Sequence, residues 1–341
     1  MKQVLVILPY ANSHLELFIK YIQRNYVADF YIHRNASYYR KNITNNEIDL
    51  PSLGYFKTIK KLIGHKYDIV FTHGIFYPYL MFLQLANQNK IIVLSEGFKQ
   101  NFNKGIIGLL KRIHLRSISK RNTLSVFMLG GKKIKKQYDT LTSDKIRYFN
   151  YGMYPDLNSF RNVKSANKAP IKFVYAGQFI TRKNIQLMLD AISITPQFQT
   201  GEAEFTFIGE GPQEEAIRST PYTKLIKTLS KELLFKTLSQ SDILVLVSSY
   251  EGWGAIVNEA CACGCVLILN KEIGASSMFF EDTVNGYCTD TTPQSLSHVF
   301  ARIIKNHETL HTMKEASFHI FKQQYQNHDK LLFDNITGAI Q

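Results

Sequence analysis

Short apolar segments typical of buried strands alternate with helical segments along nearly the whole chain, and this alternation is the strongest constraint on the fold. Strands that alternate with helices form parallel sheets, because each helix returns the chain to the same edge of the sheet. Twelve strands are predicted, six in each half of the chain: 4–8, 29–33, 68–73, 91–95, 124–129 and 146–150, then 171–176, 204–209, 224–229, 242–248, 265–270 and 286–290. The pattern predicts an α/β protein with two doubly wound, Rossmann-like parallel-sheet domains that face each other across a cleft.

A polar segment without periodicity separates the two series of strands. It covers residues 158–170 and ends at Pro170, directly before a new strand. A length of 341 residues also suits two domains of ordinary size. We therefore expect an N-terminal domain over residues 1–165 and a C-terminal domain over residues 166–324. The remaining residues, from about 325 to 341, have a helical pattern and are expected to cross back and complete the first domain.

Positive charge is concentrated in the first half of the chain. Residues 1–165 carry 26 Lys and Arg against 9 Asp and Glu, whereas residues 166–341 carry 15 against 18. The densest stretch, residues 97–138, holds eleven basic residues and no acidic one. Such a field attracts anionic membranes, phosphorylated molecules or nucleic acid, although a run of charge is also a common solvated surface. The segment 105–120 is basic and amphipathic, which predicts either a helix resting on anionic lipid or an ordinary helix facing the core.

The sequence has no pattern typical of a membrane span or a zinc site. No apolar run is long enough to cross a bilayer, and the N-terminal apolar run of five or six residues is typical of a first strand rather than a secretory signal. We therefore expect a cytoplasmic protein, and the basic half leaves open a peripheral position on the inner face of the cell membrane. Three of the four cysteines fall in a CACGC segment whose spacing resembles no common zinc site, so these three are expected to be buried and reduced.

The segment SYEGWGAIVNEACACG, residues 249–264, carries the strongest chemical signal. Glu251 follows a buried strand, a Gly-Trp-Gly turn occupies 252–254, and Glu259 lies about one turn inside the next helix. The glycines let the backbone approach a ligand closely, and a helix N-terminus offers unpaired N–H groups to an anion. Ligands of open α/β sheets bind at this edge of the sheet. The segment therefore predicts a binding site that contains two carboxylates.

Two further turns in the second half have shapes that suit a ligand. Gly177 follows a strand, and Arg182 and Lys183 stand where the next helix begins, a position at which cations suit a phosphate group. The other turn, GEGP at 209–212, ends in Pro212, which suits the first turn of a helix. Each turn alone is a weak signal, because solvated cations and tight turns between strands and helices are common.

In this order and spacing the three turns resemble the C-terminal domain of the family 4 (group 1) glycosyltransferases, which have the GT-B fold. The matching residues are Gly177–Gln178–Phe179 with Lys183–Asn184, Gly209 to Pro212, Ser248 to Gly254 with Glu259–Ala260, and Asn285–Gly286. The resemblance is specific over about residues 171–290 and diffuse over residues 68–155. In the family, an arginine stands where this chain has Gln178, so Arg182 is the candidate for the missing charge. A Gly-Gly loop often follows the family's first strand, where this chain has PYANSH at 9–14.

The resemblance implies a role for each matching residue. Lys183 would hold the donor diphosphate with Arg182 beside it, and Glu251 would accept hydrogen bonds from hydroxyls of the donor sugar. Glu259 would accept hydrogen bonds from the ribose. The backbone N–H groups of the four residues after Glu251 would bind the diphosphate or the sugar. Together with the two earlier turns and Glu259, the implied donor-binding residues are Gly177, Gln178, Gly209, Gly211, Pro212, Gly252, Trp253, Gly254, Ala255 and Glu259. In the first domain the candidates for the acceptor side are Glu96, Asn12 and His14.

The family further implies a retaining glycosyltransferase that moves a hexose-type sugar from a UDP- or GDP-sugar to a glycan or lipid-linked acceptor. The expected setting is the synthesis of a bacterial surface polysaccharide such as lipopolysaccharide, O-antigen or capsule. Fixed cations and backbone N–H groups would stabilise the charge that develops on the leaving diphosphate. In the family's front-face route the leaving phosphate takes the proton of the acceptor, so no carboxylate nucleophile is needed. The chain has no Asp-x-Asp motif, and neither a metal nor another cofactor is expected.

Other functions stay open. A nucleotide-sugar epimerase of the same fold would interconvert its substrate without any acceptor, and a noncatalytic relative would result if Gln178 left the phosphate clamp too weak. A basic RNA- or DNA-binding protein would account for the charge. However, residues 97–138 hold only four aromatic residues for stacking and no nucleic-acid module, so no nucleic-acid partner is expected. A nicotinamide-dependent dehydrogenase is disfavoured, because no Gly-x-Gly-x-x-Gly follows the first strand.

Overall fold

The chain divides into two compact units, each built around one parallel sheet. The computed structural model describes residues 1–8, 13–32, 47–48, 60, 64–74, 90–98, 105–119, 124–142, 145–157 and 170–341. Unit 1 comprises Met1–Asp156 and Asn327–Gln341, and unit 2 comprises Leu157–Gln326. The expected domain limits lay at 165–166 and near 324–325.

Unit 1 contains a seven-stranded sheet in which every neighbouring pair is parallel. Its strands are β1 (Gln3–Leu8), β2 (Val27–Ile32), β3 (Glu47–Ile48), β4 (Ile69–His73), β5 (Lys90–Ser95), β6 (Leu124–Leu129) and β7 (Arg147–Tyr151). They lie in the order β3-β2-β1-β4-β5-β6-β7, so the strand order reverses between β1 and β4. The six strands predicted from this half are confirmed, whereas the two-residue edge strand β3 was not predicted.

Within the described ranges of unit 1, α1 (Glu16–Asn25), α2 (Gly105–Ser119) and α3 (Lys132–Asp139) follow strands of this sheet. In α1 the apolar residues Phe18, Ile19 and Ile22 recur at helical spacing and are buried. In α3 only Ile134 and Tyr138 are buried, and none of the four lysines of the helix is buried. Helices α1 and α3 therefore each turn one narrow apolar stripe toward the core.

Unit 2 contains a six-stranded parallel sheet in the order β10-β9-β8-β11-β12-β13, where the numbers follow the chain. The strands are β8 (Ile171–Ala176), β9 (Ala203–Ile208), β10 (Thr223–Ile226), β11 (Ile243–Leu246), β12 (Val266–Leu269) and β13 (Gly286–Cys288). All six predicted strands are confirmed, but the prediction that β10 continues to residue 229 is wrong. The chain leaves the sheet after Ile226, whose carbonyl accepts a hydrogen bond from Gly209 N at 3.0 Å.

Between residues 170 and 326, eight helices connect and cover these strands: α4 (Ile185–Ser193), α5 (Pro196–Gln199), α6 (Glu214–Ser219), α7 (Lys231–Ser239), α8 (Ile256–Ala262), α9 (Ser276–Phe279), α10 (Pro293–Lys305) and α11 (Leu310–Gln326). Helix α10 packs against α4, and α11 packs against α8, α9 and β12. Between α10 and the sheet lies a cluster of aromatic rings, in which Phe300 contacts Phe173 edge-on at a centroid distance of 5.0 Å. The order of strands reverses between β8 and β11, which is where ligands bind in sheets of this kind.

The expected position of Pro212 in the first turn of a helix is wrong. Helix α6 begins at Glu214, and Pro212 lies in the preceding turn. The reason is that the chain is still tied to the neighbouring loop at this point, because Gln213 N donates a hydrogen bond to Phe179 O at 3.2 Å. The backbone can enter the helix only after that contact.

The last helix, α12 (His328–Ile340), belongs to unit 1 and packs against β5, β6 and β7. Polar contacts fix it there: His328 Nε2 lies 2.8 Å from the Tyr151 hydroxyl, and Asn335 Nδ2 donates to Asn150 O at 2.8 Å. Arg147 donates from β7 to the carbonyl of Gly338 at 2.9 Å. Unit 1 is therefore completed by the last segment of the chain.

A buried ion pair joins α11 to the sheet of unit 2. Lys314 Nζ lies 2.9 Å from Asp242 Oδ1, and the two side chains are only 3% and 1% exposed. The other carboxylate oxygen of Asp242 accepts a hydrogen bond from Lys172 N at 3.0 Å. One carboxylate thus ties together the start of β8, the start of β11 and the covering helix.

None of the four cysteines forms a disulfide, and Cys261, Cys263 and Cys265 are buried while Cys288 is exposed. Burial raises the pKa of the Cys265 thiol to about 12, so this thiol stays protonated at neutral pH. In the part of the chain that the structure describes, no helix combines the length and the apolar character that a membrane span requires.

Candidate active site

Two cations of unit 2 converge on one carboxylate. Lys183 Nζ donates a hydrogen bond to Glu251 Oε2, and Arg182 Nη1 lies 3.1 Å from the same oxygen. The Ser248 hydroxyl is a third donor to this oxygen at 3.3 Å. The side chains of Lys183 and Glu251 are each 13% exposed, whereas that of Arg182 is 39% exposed. The structure therefore brings the two cations predicted for the diphosphate and the carboxylate predicted for the sugar together in one charged cluster, in which Lys183 and Glu251 are largely shielded from water.

Backbone contacts hold the segment that carries the cations against the segment that carries the carboxylate. Residues Thr181–Lys183 form a single 3-10 turn, and Arg182 O accepts a hydrogen bond from Ser249 N at 2.9 Å. The next residue, Asn184, adopts a left-handed conformation with φ 54°, which asparagine tolerates better than most residues. Its side chain donates to Val247 O at 2.7 Å. The sequence interpretation assigned no role to Asn184, although an asparagine between two cations and an apolar helix is a recognisable signal.

The glycines of the two neighbouring turns are required by backbone packing. A Cβ on Gly209 would lie 2.0 Å from Gly177 O, and one on Gly211 would lie 2.6 Å from Phe179 O. Gly177, Gly209 and Gly211 all have positive φ. Phe179 N also donates a hydrogen bond to Glu210 O at 2.9 Å. The loops after β8 and β9 therefore pack directly on each other. This packing alone accounts for the glycines, with no need of a ligand. The two packed loops lie next to the 3-10 turn Thr181–Lys183.

Gln178 occupies the position where the family has an arginine, and its side chain is exposed. Its carbonyl accepts a hydrogen bond from the Tyr175 hydroxyl at 2.9 Å. Burial first, and then the negative charge of Glu251, raises the pKa of Tyr175, so the hydroxyl remains a donor. Arg182 is the residue that adds a second positive charge at Glu251.

The Gly-Trp-Gly turn lies directly beside Glu251. A Cβ on Gly254, which has φ 89°, would lie 3.1 Å from Glu251 Cγ. Trp253 is 1% exposed as a whole residue and its Nε1 donates to Asn258 Oδ1 at 3.0 Å, so the indole points into the core. The Trp253 backbone is buried as well, and its carbonyl accepts a hydrogen bond from Ala275 N at 2.8 Å. The chain then enters α8 directly after Ala255.

Glu259 lies in α8, and its surroundings differ from those of Glu251. Burial raises the pKa of its carboxyl to about 7, and the charge of nearby Lys231 only partly opposes this shift. Hydrogen bonds to an ionised carboxylate favour the charged form, so a ligand hydroxyl donating to Glu259 would lower this pKa. Lys231, the first residue of α7, had no role in the sequence interpretation, because only the fold brings it near Glu259.

Replacing Glu259 by glutamine should stabilise the ligand-free protein at pH 8 and leave its stability at pH 4 almost unchanged. In the unfolded chain the Glu259 carboxyl loses its proton above pH 4.5, its ordinary pKa, whereas in the folded chain it keeps the proton up to about pH 7. Folding is therefore penalised as pH rises through this window. Denaturant unfolding at pH 8 should show a gain of about 1–3 kcal/mol in the free energy of unfolding.

The exposed Glu215 of α6 provides the matched control, because Glu215→Gln should leave both stabilities unchanged. An equal change for Glu259→Gln at pH 4 and pH 8 would contradict the raised pKa.

The acceptor-side candidates belong to unit 1. Glu96 directly follows β5, and its Oε1 lies 3.3 Å from His73 Nε2 at the end of β4. His14 lies in the 3-10 turn before α1, and Asn12 lies outside the described residues. The sequence interpretation missed His73 as a partner of Glu96, although a histidine that ends an apolar strand was visible. Across the described ranges, no three His, Cys, Asp or Glu side chains form a group that could hold a metal ion.

Comparisons with known proteins agree with the family resemblance. Residues 156–319 match the family model described as "Glycosyl transferases group 1". The capsular polysaccharide biosynthesis glycosyltransferase CapH of Staphylococcus aureus is 24% identical in an alignment that covers 71% of each chain. The resemblance inferred from the three turns is thus confirmed for the second half of the chain.

Solved structures match almost the whole chain at low identity. The structure of Anabaena Alr3699/HepE in complex with UDP has a TM-score of 0.75 and 12% identity, and the match covers 99% of this chain and 100% of that one. WaaG, described as a glycosyltransferase involved in lipopolysaccharide biosynthesis, has a TM-score of 0.66 and 12% identity, with 94% and 95% covered. The predicted GT-B fold is confirmed by these matches, which at such identities concern the fold alone.

Proposed function

We propose that this chain, a group 1 glycosyltransferase of the GT-B fold, moves a hexose-type sugar with retention from a UDP- or GDP-sugar to a glycan or lipid-linked acceptor. The observation that carries the proposal is the convergence of Lys183 and Arg182 on Glu251. A sugar diphosphate suits this cluster in two ways. Its diphosphate is an anion that the two cations can bind, and its sugar ring carries hydroxyls that can donate to the carboxylate.

Two relatives support the donor class and the setting. Alr3699/HepE was crystallised in complex with UDP and glucose, which favours a nucleoside diphosphate sugar for a chain of the same fold. CapH is described as acting in capsular polysaccharide biosynthesis, which favours a surface polysaccharide as the product here. The proposed location is the cytoplasm, with a peripheral position on the inner face of the cell membrane.

Donor binding would rearrange the charges of the cluster. Without a donor, the Glu251 carboxylate neutralises one of the two cations that contact it. An arriving diphosphate competes for Lys183 and Arg182, because it carries more negative charge than one carboxylate. Glu251 then accepts hydrogen bonds from hydroxyls of the donor sugar, and Glu259 accepts them from the ribose. The two carboxylates bind the donor, and neither acts as a nucleophile.

Charge development at the leaving group determines how the cluster would accelerate transfer. The bond between the anomeric carbon and the diphosphate oxygen breaks, and the acceptor oxygen bonds to the same face of that carbon. The acceptor proton passes to the leaving phosphate oxygen, so atoms and charge balance without a further base. Lys183 and Arg182 stabilise the negative charge that grows on the diphosphate, and the low exposure of Lys183 strengthens its effect.

A thermal-shift screen with UDP, GDP, ADP and their sugars tests the donor class. A ligand that binds only the folded state raises the apparent melting temperature by mass action, so UDP or GDP and its sugar should stabilise the protein and ADP should not. NMR of the sugar product should then show the anomeric configuration of the donor.

Each alternative function gives a different result. Stabilisation by none of the three diphosphates would contradict the proposal. Conversion of the nucleotide sugar without any acceptor would identify an epimerase, and donor binding without turnover would identify a noncatalytic relative.

A further inference from the structure

Helix α2 has one face in the core and an apolar face on the outside. Leu115 and Ile118 are fully buried in the core cluster of unit 1. Four apolar side chains of the same helix are instead 55–78% exposed: Ile106, Leu109, Leu110 and Ile113. Their spacing of three and four residues places them on one side of the helix. The two predictions for segment 105–120, a core-facing helix and a helix on lipid, thus apply to different sides of one helix. Its second half packs in the core, whereas the side with these four residues does not.

The exposure of this face is concentrated. The described residues include eleven exposed large apolar side chains, and four of them belong to α2. Single exposed apolar residues are ordinary on protein surfaces, but several on one helix face mark a surface that is covered in use. We refer to Ile106, Leu109, Leu110 and Ile113 as the outer face.

The charges around the outer face determine what kind of partner fits it. Arg116 is exposed one turn beyond Ile113, and Lys111 and Arg112 are half-buried beside the outer face. The whole stretch from residue 97 to residue 138 has eleven basic residues and no acidic one. A second copy of the chain would bring two such basic helices together, and like charges would oppose that contact. An anionic bilayer offers phosphates for the cations and an apolar layer for the outer face.

We propose that α2 lies in the surface of an anionic lipid bilayer, with its outer face inserted at the boundary between headgroups and acyl chains. Lys111, Arg112 and Arg116 then extend to the lipid phosphates. A helix of 15 residues is about 22 Å long and too short to span the bilayer, so it lies parallel to the surface. Membrane binding does not depend on the proposed reaction, but it would bring unit 1 to the surface where a lipid-linked acceptor resides.

Vesicle flotation of the full chain tests this contact. Vesicles of phosphatidylcholine mixed equally with phosphatidylglycerol should carry the protein at low salt, whereas vesicles of pure phosphatidylcholine should carry much less. High salt should weaken the binding, because it screens exposed charges. No binding to the anionic vesicles at low salt would overturn the proposal.

Substitutions separate the apolar contribution from the electrostatic one. The triple variant Ile106→Ser, Leu110→Ser and Ile113→Ser should lower the partition coefficient by at least about tenfold, and Arg116→Gln should lower it by about fivefold. The control is Leu233→Ser, which removes a leucine that is 50% exposed in α7 of unit 2 and should leave binding unchanged. Circular dichroism and the melting temperature should stay as in the wild type, because all the substituted side chains are exposed. Equal binding of the triple variant and the wild type would overturn the insertion of the outer face.

A fluorescent label measures insertion directly. In a Cys288→Ser background, which removes the exposed thiol, Leu110→Cys carries an environment-sensitive dye on the outer face. Anionic vesicles should shift its emission to the blue, and the same dye at Leu233→Cys should not respond. Light scattering of the vesicle-free protein tests the competing occupant. A dimer that the triple serine variant dissociates, without a blue shift on vesicles, would assign the outer face to a second copy and overturn the proposal.

Discussion

Replacing Lys183 by alanine should lower the turnover number of sugar transfer by about 10²–10³-fold. Its ammonium group contacts Glu251 and is only 13% exposed, so in the proposed reaction it would act on the leaving diphosphate in surroundings that water screens weakly. The loss should appear in kcat at saturating donor, because the charge it stabilises grows during bond cleavage. The measurement is steady-state kinetics with the donor found by the thermal-shift screen.

Two other basic residues provide controls for this loss. Arg182→Ala removes the other cation that contacts Glu251. The Arg182 side chain is 39% exposed, three times as much as that of Lys183, so a smaller decrease in kcat is expected. Lys224→Ala removes a lysine that is 62% exposed and paired with Glu204 on the sheet, and it should leave kcat unchanged. Because Arg182 still contacts Glu251 in the Lys183→Ala variant, the carboxylate is not left alone and the fold should persist. A wild-type kcat for Lys183→Ala would remove Lys183 from the reaction.

Replacing Lys314 by methionine should lower the free energy of unfolding by about 3–5 kcal/mol. The substitution keeps the volume of the side chain but leaves the Asp242 carboxylate, which is 1% exposed, without its cation. A buried charge that has lost its partner costs far more than the pair itself contributes. Urea unfolding at neutral pH measures the change.

Restoring neutrality should recover most of this loss. The double variant Lys314→Met and Asp242→Asn removes both charges and keeps an oxygen for the hydrogen bond from Lys172 N. It should be more stable than Lys314→Met alone, since replacing both members of a buried pair is often nearly neutral. Lys322→Met changes an exposed lysine of the same helix and should stay close to the wild type. A double variant no more stable than Lys314→Met would mean that the lost lysine packing, and not the unpaired charge, causes the effect.

The secondary structure and the family resemblance could be predicted from the sequence because their signals are local. The twelve predicted strands are all present, and most end within two residues of the predicted position. The periodicity of apolar residues and the turn residues between them lie within a few positions of each other, so no tertiary information is needed to interpret them. The three turns with Lys183, Gly209 and Glu251 likewise carried the resemblance to the group 1 glycosyltransferases, and the family model described in those words matches residues 156–319.

The errors of the sequence interpretation lie where distant segments meet. Helix α6 begins after Pro212 because Phe179, more than thirty positions earlier, still holds the turn. Strand β10 stops at Ile226, where the chain leaves the edge of the sheet. A propensity for helix or strand is a weak preference, and a single contact of this kind outweighs it.

Local patterns were enough to predict the alternation of strands and helices, the three glycine-containing turns and the positive charge of the first half, since each is a property of neighbouring residues. The packing of distant segments was needed to show that Lys183 meets Glu251 across 68 positions, that the pKa of Glu259 rises to about 7, and that α2 exposes its outer face. The reason is that pairing and burial depend on which distant segments pack against a side chain, and no local pattern encodes those neighbours.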